Sequence, residues 1–256
     1  MENTIENGII CLFDILGYKN FIVNNSLSEC ADNIRTIISK LPDNVKNKVL
    51  DICESEDKKL LPLQKKIDEL LKEKFHYIIV SDTILLAFDF SKLNSADIDF
   101  FRFISLAYIQ EFQNISFRQG FPVRGCVDIG SFYYYDHTFA GNTIINSFCE
   151  SESIDFSGIL ITDNALNFLE KENTNYTNRF IKKYVHRYLV PMKNNIEAYK
   201  NIIEWQIDYN KSTDLDLKQK IFESFHAHKK DVSLSVMNKI NNTEKIYRYF
   251  LMSKNK

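Results

Sequence analysis

Apolar and polar positions follow two periods along this chain, and their order predicts its architecture. Residues 8–14, "GIICLFD", form a short apolar run that ends on a turn signal, the pattern of a buried strand. From Tyr18 to about Lys40 the apolar residues recur at helical spacing, with a break near "NNSLS" where Ser26 or Ser28 suits a helix cap. Residues 42–74 are charged, with Leu and Ile at helical spacing in "LLPLQKKIDELLKEK", and read as an amphipathic helical insertion on the surface. "FHYIIV" and "ILLAFDF" read as two strands flanking "SDT", a tight hairpin with Asp82 near its tip. A long helix is expected over 95–118, with Phe, Ile and Leu on one face. "FPVRGCVDIGSFYYY" is a further strand, with His137 to Ala140 as a second hairpin arm, and a helix over 142–152 leads into the strand "GILIT". The remaining third reads as mostly helical, with a strand near "VHRYLV" and a closing aromatic segment, "KIYRYFLM".

The order through residue 131 is β-α-β-β-α-β, which places the chain in the α+β class with a ferredoxin-like core. The expected organisation is a domain over 1–190, carrying the insertion at about 42–74, and a helical C-terminal extension over 191–256 packed on it. In a ferredoxin-like sheet the end of the first strand and the central hairpin turn meet at one edge. Asp14 and Asp82 are therefore predicted neighbours despite their separation in sequence.

Composition narrows the class. The 256 residues are 45% hydrophobic, enough for a sizeable core, and the net charge of −2 offers no basic footprint for nucleic acid. The polar, acidic start "MENTIENG" does not read as a signal peptide, and no apolar run approaches the ~18 residues of a membrane span. Five scattered cysteines without a CxxC pair argue against a disulfide framework or zinc knuckle and fit a reducing cytoplasm.

Taken singly, Asp14 reads as a helix cap and Asp82 as a turn residue. Taken together, they are two carboxylates that repel unless a cation or proton intervenes. A hard divalent ion such as Mg²⁺ prefers one or two carboxylates plus substrate phosphates. Two such ions suit in-line phosphoryl displacement. The amides of Leu16, Gly17 and Tyr18 open the next helix and are candidates to cradle phosphate, with Gly17 allowing close approach. The other polar features have ordinary readings. His226 and His228 stand at i, i+2, which do not face one another on a helix; Glu150 and Glu152 read as a solvated helix face.

These stretches resemble the class III nucleotidyl cyclase family. "FDILGYKNF" is similar to that family's first metal motif, and "VSDTILLAF" to its second. "VRGCVDIGSFYY" matches its Arg-x-Gly strand, with Arg124 and Gly130 in register, and "FAGNTIINSFCESESIDFSGILIT" its glycine, dimerisation helix and following strand. The resemblance covers roughly residues 8–163. Within the family it is nearest the pyrimidine cyclases of bacterial Pycsar anti-phage systems.

The resemblance implies conversion of UTP or CTP to cUMP or cCMP with release of pyrophosphate. It assigns two Mg²⁺ or Mn²⁺ ions to Asp14, Asp82 and the Ile15 carbonyl. It also implies phosphate contacts from Leu16, Gly17, Tyr18 and Lys19, and charge neutralisation by Arg124, for which a salt-bridged strand arginine is the plainer reading. Ser81 and Thr138 join the substrate-binding set. Further implications are a head-to-tail homodimer, with the metal aspartates on one subunit and the remaining clamp on the other, and a separate effector that responds to the cyclic product. Two departures matter. The lysine and aspartate that read adenine are replaced by Ile78 and Thr138, so a purine-reading pair is absent, and Tyr18 or Tyr77 is a candidate to narrow the base pocket. The transition-state Asn and Arg fall on Ile145 and Cys149, with Asn146 one residue out of register. A purine cyclase, or a degenerate cyclase that only binds nucleotide, is the alternative.

Overall fold

The computed structural model describes residues 4–54, 60–136, 138–170, 175–207 and 214–253. Strand β1 (Thr4–Ile15) is followed by helices α1 (Tyr18–Asn24), α2 (Leu27–Glu54) and α3 (Leu60–Lys74). The hairpin β2 (Phe75–Val80) and β3 (Thr83–Asp89) leads to α4 (Ser95–Arg118) and β4 (Val123–Tyr135). The sheet order β2-β3-β1-β4, antiparallel throughout, is the ferredoxin-like arrangement. The short β5 (Thr138–Ala140) pairs with the end of β4; His137, part of the expected hairpin arm, lies outside the described residues.

Beyond β4 the sheet continues. Helix α5 (Asn142–Ser153) crosses to β6 (Gly158–Ile161), which runs parallel to β4. Helices α6 (Asp163–Glu170) and α7 (Asn175–Tyr184) precede the hairpin β7 (Val185–Met192) and β8 (Ile196–Ile203), and β8 inserts between β6 and β7. Helices α8 (Asp214–His226) and α9 (Leu234–Ser253) close the chain. The final third is thus less helical than its periodicity predicts. The overlooked strand β8 follows Asn194 and Asn195, both left-handed with φ of 62° and 57°, in the three-residue turn 193–195 between the paired Met192 and Ile196. This hairpin spans residue 190.

Two other expectations change. Pro42 does not open a separate insertion, because α2 runs through it. Ile37, Leu41, Val45 and Val49, one helical face at four-residue steps, are buried against α4, and that packing outweighs the hydrogen bond that proline removes. Helix α4 begins with the Asn94 side chain accepting from the Asp97 amide and is buried on every side from Phe101 to Phe117, not on one face. Several of its polar side chains are paired inside: Gln110 donates to the Glu204 carbonyl, Asn114 accepts from the Gln206 amide, and Lys48 of α2 meets Glu111 at 2.6 Å.

The main core lies between the sheet and α2, α4 and α7, and a second core joins β6, β7 and β8 to α8 and α9. On the opposite face of β1 and β4 lies α5, which buries only Thr143, Ser147 and Ser151. Small residues let it come close: a Cβ on Gly130 would overlap the Thr143 hydroxyl. This close approach brings the C-terminal end of α5 over the Asp14 end of the sheet.

Candidate active site

Asp14 is the penultimate residue of β1, directly opposite Thr83 on one side and Arg124 on the other. The end of the strand is stapled on both flanks. The Ile15 amide donates to the Asp82 carbonyl at 2.9 Å, and the Leu16 amide to the Pro122 carbonyl at 2.9 Å. Topology therefore places Asp14 beside the turn that carries Asp82, as the sheet order anticipates. Ser81 in that turn is exposed and left-handed at φ 59°, which the tight connection from Val80 to Thr83 requires. The Leu16 bond is a correction to the amide cradle. That N–H is already given to Pro122, so Leu16 has none to offer phosphate, and Gly17 and Tyr18 remain. Gly17 caps α1 at φ 78°, a conformation that suits glycine, and Lys19 is exposed on the first turn.

Arg124 is 8% exposed and lies on Asp14 in the same chain. Its Nε donates to Asp14 Oδ2 at 2.7 Å, and its Nη2 pairs with the Glu152 carboxylate at the end of α5. Lys193, from the β7–β8 turn, holds the other Glu152 oxygen at 3.0 Å. A line of alternating charge, Asp14–Arg124–Glu152–Lys193, thus crosses from the first strand to the far hairpin. Glu152 is the residue that the pattern concealed. Its i, i+2 relation to Glu150 looks like a solvated face, and only the close packing of α5 turns it inward.

Burial pushes the Asp14 carboxyl above its usual value. Arg124 pulls it back, while the Asp82 and Glu152 charges push it further up. Burial also raises Glu152, but Lys193 and Arg124 outweigh that and hold it below the ordinary range. Tyr18 is held high by burial first, then by Cys30 and Asp82, which places its phenol within electrostatic reach of the Asp82 carboxylate. Tyr77 stacks on Phe75, whose ring packs on the helix-covered core. Ile78 points the other way, into a small apolar cluster with Ile10 and Leu85. Of the two candidate tyrosines, Tyr18 is the one that feels the Asp82 charge.

Other expected residues stand elsewhere. Thr138 is exposed and pairs with Tyr135, at the opposite end of β4 from Arg124. At ~3.3 Å per residue that is on the order of 30 Å from Asp14, so one chain does not bring the two together. Ile145, Asn146 and Cys149 are exposed on α5. His226 Nδ1 and His228 Nε2 each bond a main-chain carbonyl, of Lys230 and Gln119 respectively.

Among the described residues no group of three or more His, Cys, Asp or Glu side chains could hold a metal ion. The available donors are two carboxylates and a main-chain carbonyl, all hard oxygens. The Asp14 carboxyl, raised by burial and by its neighbour Asp82, has Arg124 as its counter-charge and keeps Oδ1 outside that bond. That donor set fits Mg²⁺ or Mn²⁺ completed by water and phosphate, ions that need only one or two protein carboxylates.

No family model and no curated protein matches the chain. Among solved structures it is similar to the catalytic core of a rhodopsin–guanylyl cyclase with converted specificity in complex with ATPαS. The identity is 9%, the match covers 78% of this chain and 97% of that one, and the TM-score is 0.47. It is likewise similar to a guanylate cyclase domain from Catenaria anguillulae in complex with GTP, at 11% identity, 78% and 97% coverage and a TM-score of 0.45. A class III adenylyl cyclase-like ATP-binding protein from Pseudomonas aeruginosa matches at 10% identity over 97% of this chain and 43% of its own, with a TM-score of 0.37. Likenesses this remote carry no part of the functional reading. No helix among the described residues is long and apolar enough to cross a membrane.

Proposed function

We propose that the protein is a metal-dependent nucleotidyl cyclase that closes a pyrimidine nucleoside triphosphate, UTP or CTP, to its 3′,5′-cyclic monophosphate and releases pyrophosphate. The observation that carries this is the meeting of Asp14 with the Asp82 turn at the edge of a ferredoxin-like sheet, beside the left-handed Gly17 turn. Asp14, Asp82 and the Ile15 carbonyl would hold the ions. When bound, Mg²⁺ or Mn²⁺ would acidify the ribose 3′-hydroxyl and neutralise the triphosphate.

The chain's own residues then have definite tasks. The Gly17 and Tyr18 amides and Lys19 hold the terminal phosphates. Arg124 favours the ionised form of the buried Asp14 in the free protein and would be the cation nearest the reacting phosphate. Tyr18 beside Asp82 narrows the base pocket, and Ile78 offers no donor to a purine ring, which favours the smaller base. Thr138 lies too far from Asp14 to serve the same chain's site, which supports a head-to-tail homodimer in which each site draws on two subunits. The product would act as a second messenger on a separate effector in anti-phage defence.

One observation favours a second reading. The positions that the resemblance assigns to the transition-state Asn and Arg hold Ile145 and Cys149, so a chain that binds nucleotide without turning it over is the rival. Incubation with each of the four labelled ribonucleoside triphosphates and Mn²⁺, beside Asp14→Ala and Asp82→Ala, separates the readings. A cyclic product from UTP or CTP that both variants lose supports the proposal. A product from ATP or GTP overturns the base assignment, and binding without product favours the rival.

A further inference from the structure

Lys230 stands in the loop between α8 and α9 and is 1% exposed. Its amino group donates to the Gly120 carbonyl at 2.6 Å and the Ser224 carbonyl at 3.3 Å, and it sits 5.5 Å from the centre of the Phe121 ring. No carboxylate pairs with it among the described residues, and burial alone brings its pKa down to about 7. A lysine this deep without an acid is costly to keep, so its position calls for a reason.

The reason lies under the Gly17 turn. The Lys230 stem runs directly beneath it, and Cδ stands 3.1 Å from where a Cβ on Gly17 would be. The amino end is anchored in the 116–122 segment, the same segment whose Pro122 carbonyl receives the Leu16 amide. The loop that carries Lys230 is fastened from several sides. The Asn24 and Asn25 side chains donate to the carbonyls of Lys229 and His228, both at 2.7 Å, and the His228 ring stacks on Phe121 at 4.4 Å. His228 and Lys229 are both left-handed, at φ 59° and 58°, a costly pair that these contacts sustain. Beside the stem is a cavity of about 160 Å³ lined by Leu16, Gly17, Phe225, Lys230, Asp231, Val236 and Lys239, and the three atoms nearest a Cβ on Gly17 all belong to the Lys230 stem.

We infer that Lys230 is a positioning residue for the triphosphate-binding turn: its stem is the floor of Gly17, and its amino group, tied to Gly120 and Ser224, fixes that floor in place. The C-terminal extension would thereby set the affinity of the active site for its substrate. The inference rests on the cyclase reading for its functional half only.

Two measurements test it on the full-length protein. The first is amide hydrogen exchange of peptides spanning the β1–α1 turn, in wild type, Lys230→Met (stem kept, nitrogen lost) and Lys230→Ala (both lost). Faster exchange there in both variants, larger in Lys230→Ala, is expected whether or not the protein is a cyclase. Unchanged exchange overturns the inference. The second is steady-state kinetics with the preferred triphosphate and Mn²⁺. KM should rise about five- to tenfold in Lys230→Met, the net worth of the short bond to Gly120 with little added by the long one to Ser224, with kcat within about twofold. A fall in kcat at unchanged KM would mean only that less protein is folded, and would overturn the positioning role. A wild type that turns over no triphosphate would sink the cyclase reading and leave the exchange result to decide the rest.

Discussion

Removing the guanidinium of Arg124 tests the electrostatics of the site most directly. Arg124→Met keeps much of the packing volume and deletes three polar contacts: Nε to Asp14 at 2.7 Å, the pair with the Glu152 carboxylate, and Nη1 to the Glu152 carbonyl at 3.4 Å. The Asp14 and Arg124 side chains are 17% and 10% exposed, and breaking a pair that deep by removing one partner costs about 3–5 kcal/mol. Glu152, at 36%, is easily rehydrated and keeps Lys193, so its share is the ~0–1 kcal/mol of a surface pair. The expected loss is therefore at the lower end, about 3 kcal/mol. At about 2–4 °C per kcal/mol for a chain of this size, Tm should fall by about 6–12 °C.

The pH dependence is the sharper part. With Arg124 gone, every remaining influence on Asp14 (burial, Asp82, Glu152) raises its pKa in the folded state. A carboxyl whose folded pKa exceeds its unfolded value lends stability when protonated, and that stability is lost as pH rises through the folded value. The deficit of Arg124→Met against wild type should thus be small near pH 5 and grow toward pH 8, where the buried carboxylate is uncompensated. Asp14→Asn in the same background should remove the growth. Thermal unfolding across that range reads all of this. A deficit that is flat with pH, or a Tm within about 2 °C of wild type, would refute the claim that Arg124 neutralises a buried Asp14.

Three further outcomes follow from the same geometry. Gly17→Ala forces an L residue to φ 78° and sets its Cβ 3.1 Å from the Lys230 stem, so it should cost about 1–3 kcal/mol by chemical denaturation and raise KM. Unchanged stability would show that the turn relaxes freely. Asp82→Asn removes a like charge beside Asp14 from a half-buried turn; stability should stay within about 1 kcal/mol while Mn²⁺-dependent turnover falls on the order of 100-fold, and retained turnover would remove Asp82 from the metal set. Lys230 has a folded pKa of about 7 against 10.5 for an ordinary lysine, so the cost of burying its charge is full below pH 7 and is relieved as pH rises toward 10.5. Lys230→Met should therefore compare best with wild type in acid and worst near pH 9, and a difference in Tm that is constant with pH would show that Lys230 is not titrating in the fold.

Much of the fold was legible because it rests on local pattern. The apolar run into Asp14, the "SDT" hairpin and the span of α4 each follow from spacing and turn chemistry, and the ferredoxin-like order follows from them. What escaped depends on partners far away in the chain. The continuation of α2 through Pro42 is decided by α4, and the burial of α4 on all sides by residues 204–207 and α8. Strand β8 had a local signal in Asn194-Asn195 that polar surroundings masked. In the site, the aspartates could be paired by topology, whereas Glu152 and Lys230 could not. Each looks like an ordinary surface charge until α5 and the α8–α9 loop are folded onto the sheet.

The way α4 is buried bears on how this chain can be handled. Its innermost helix receives part of its covering from main-chain groups after β8, where the Glu204 carbonyl and Gln206 amide satisfy Gln110 and Asn114. A fragment trimmed to the ferredoxin-like portion would strip those partners away, leaving two amide side chains unpaired beside the cut face of α4 and the lysine floor missing from beneath Gly17. The ferredoxin-like portion and the tail thus complete one another's packing, and fusions or tags belong outside the helices that close the chain.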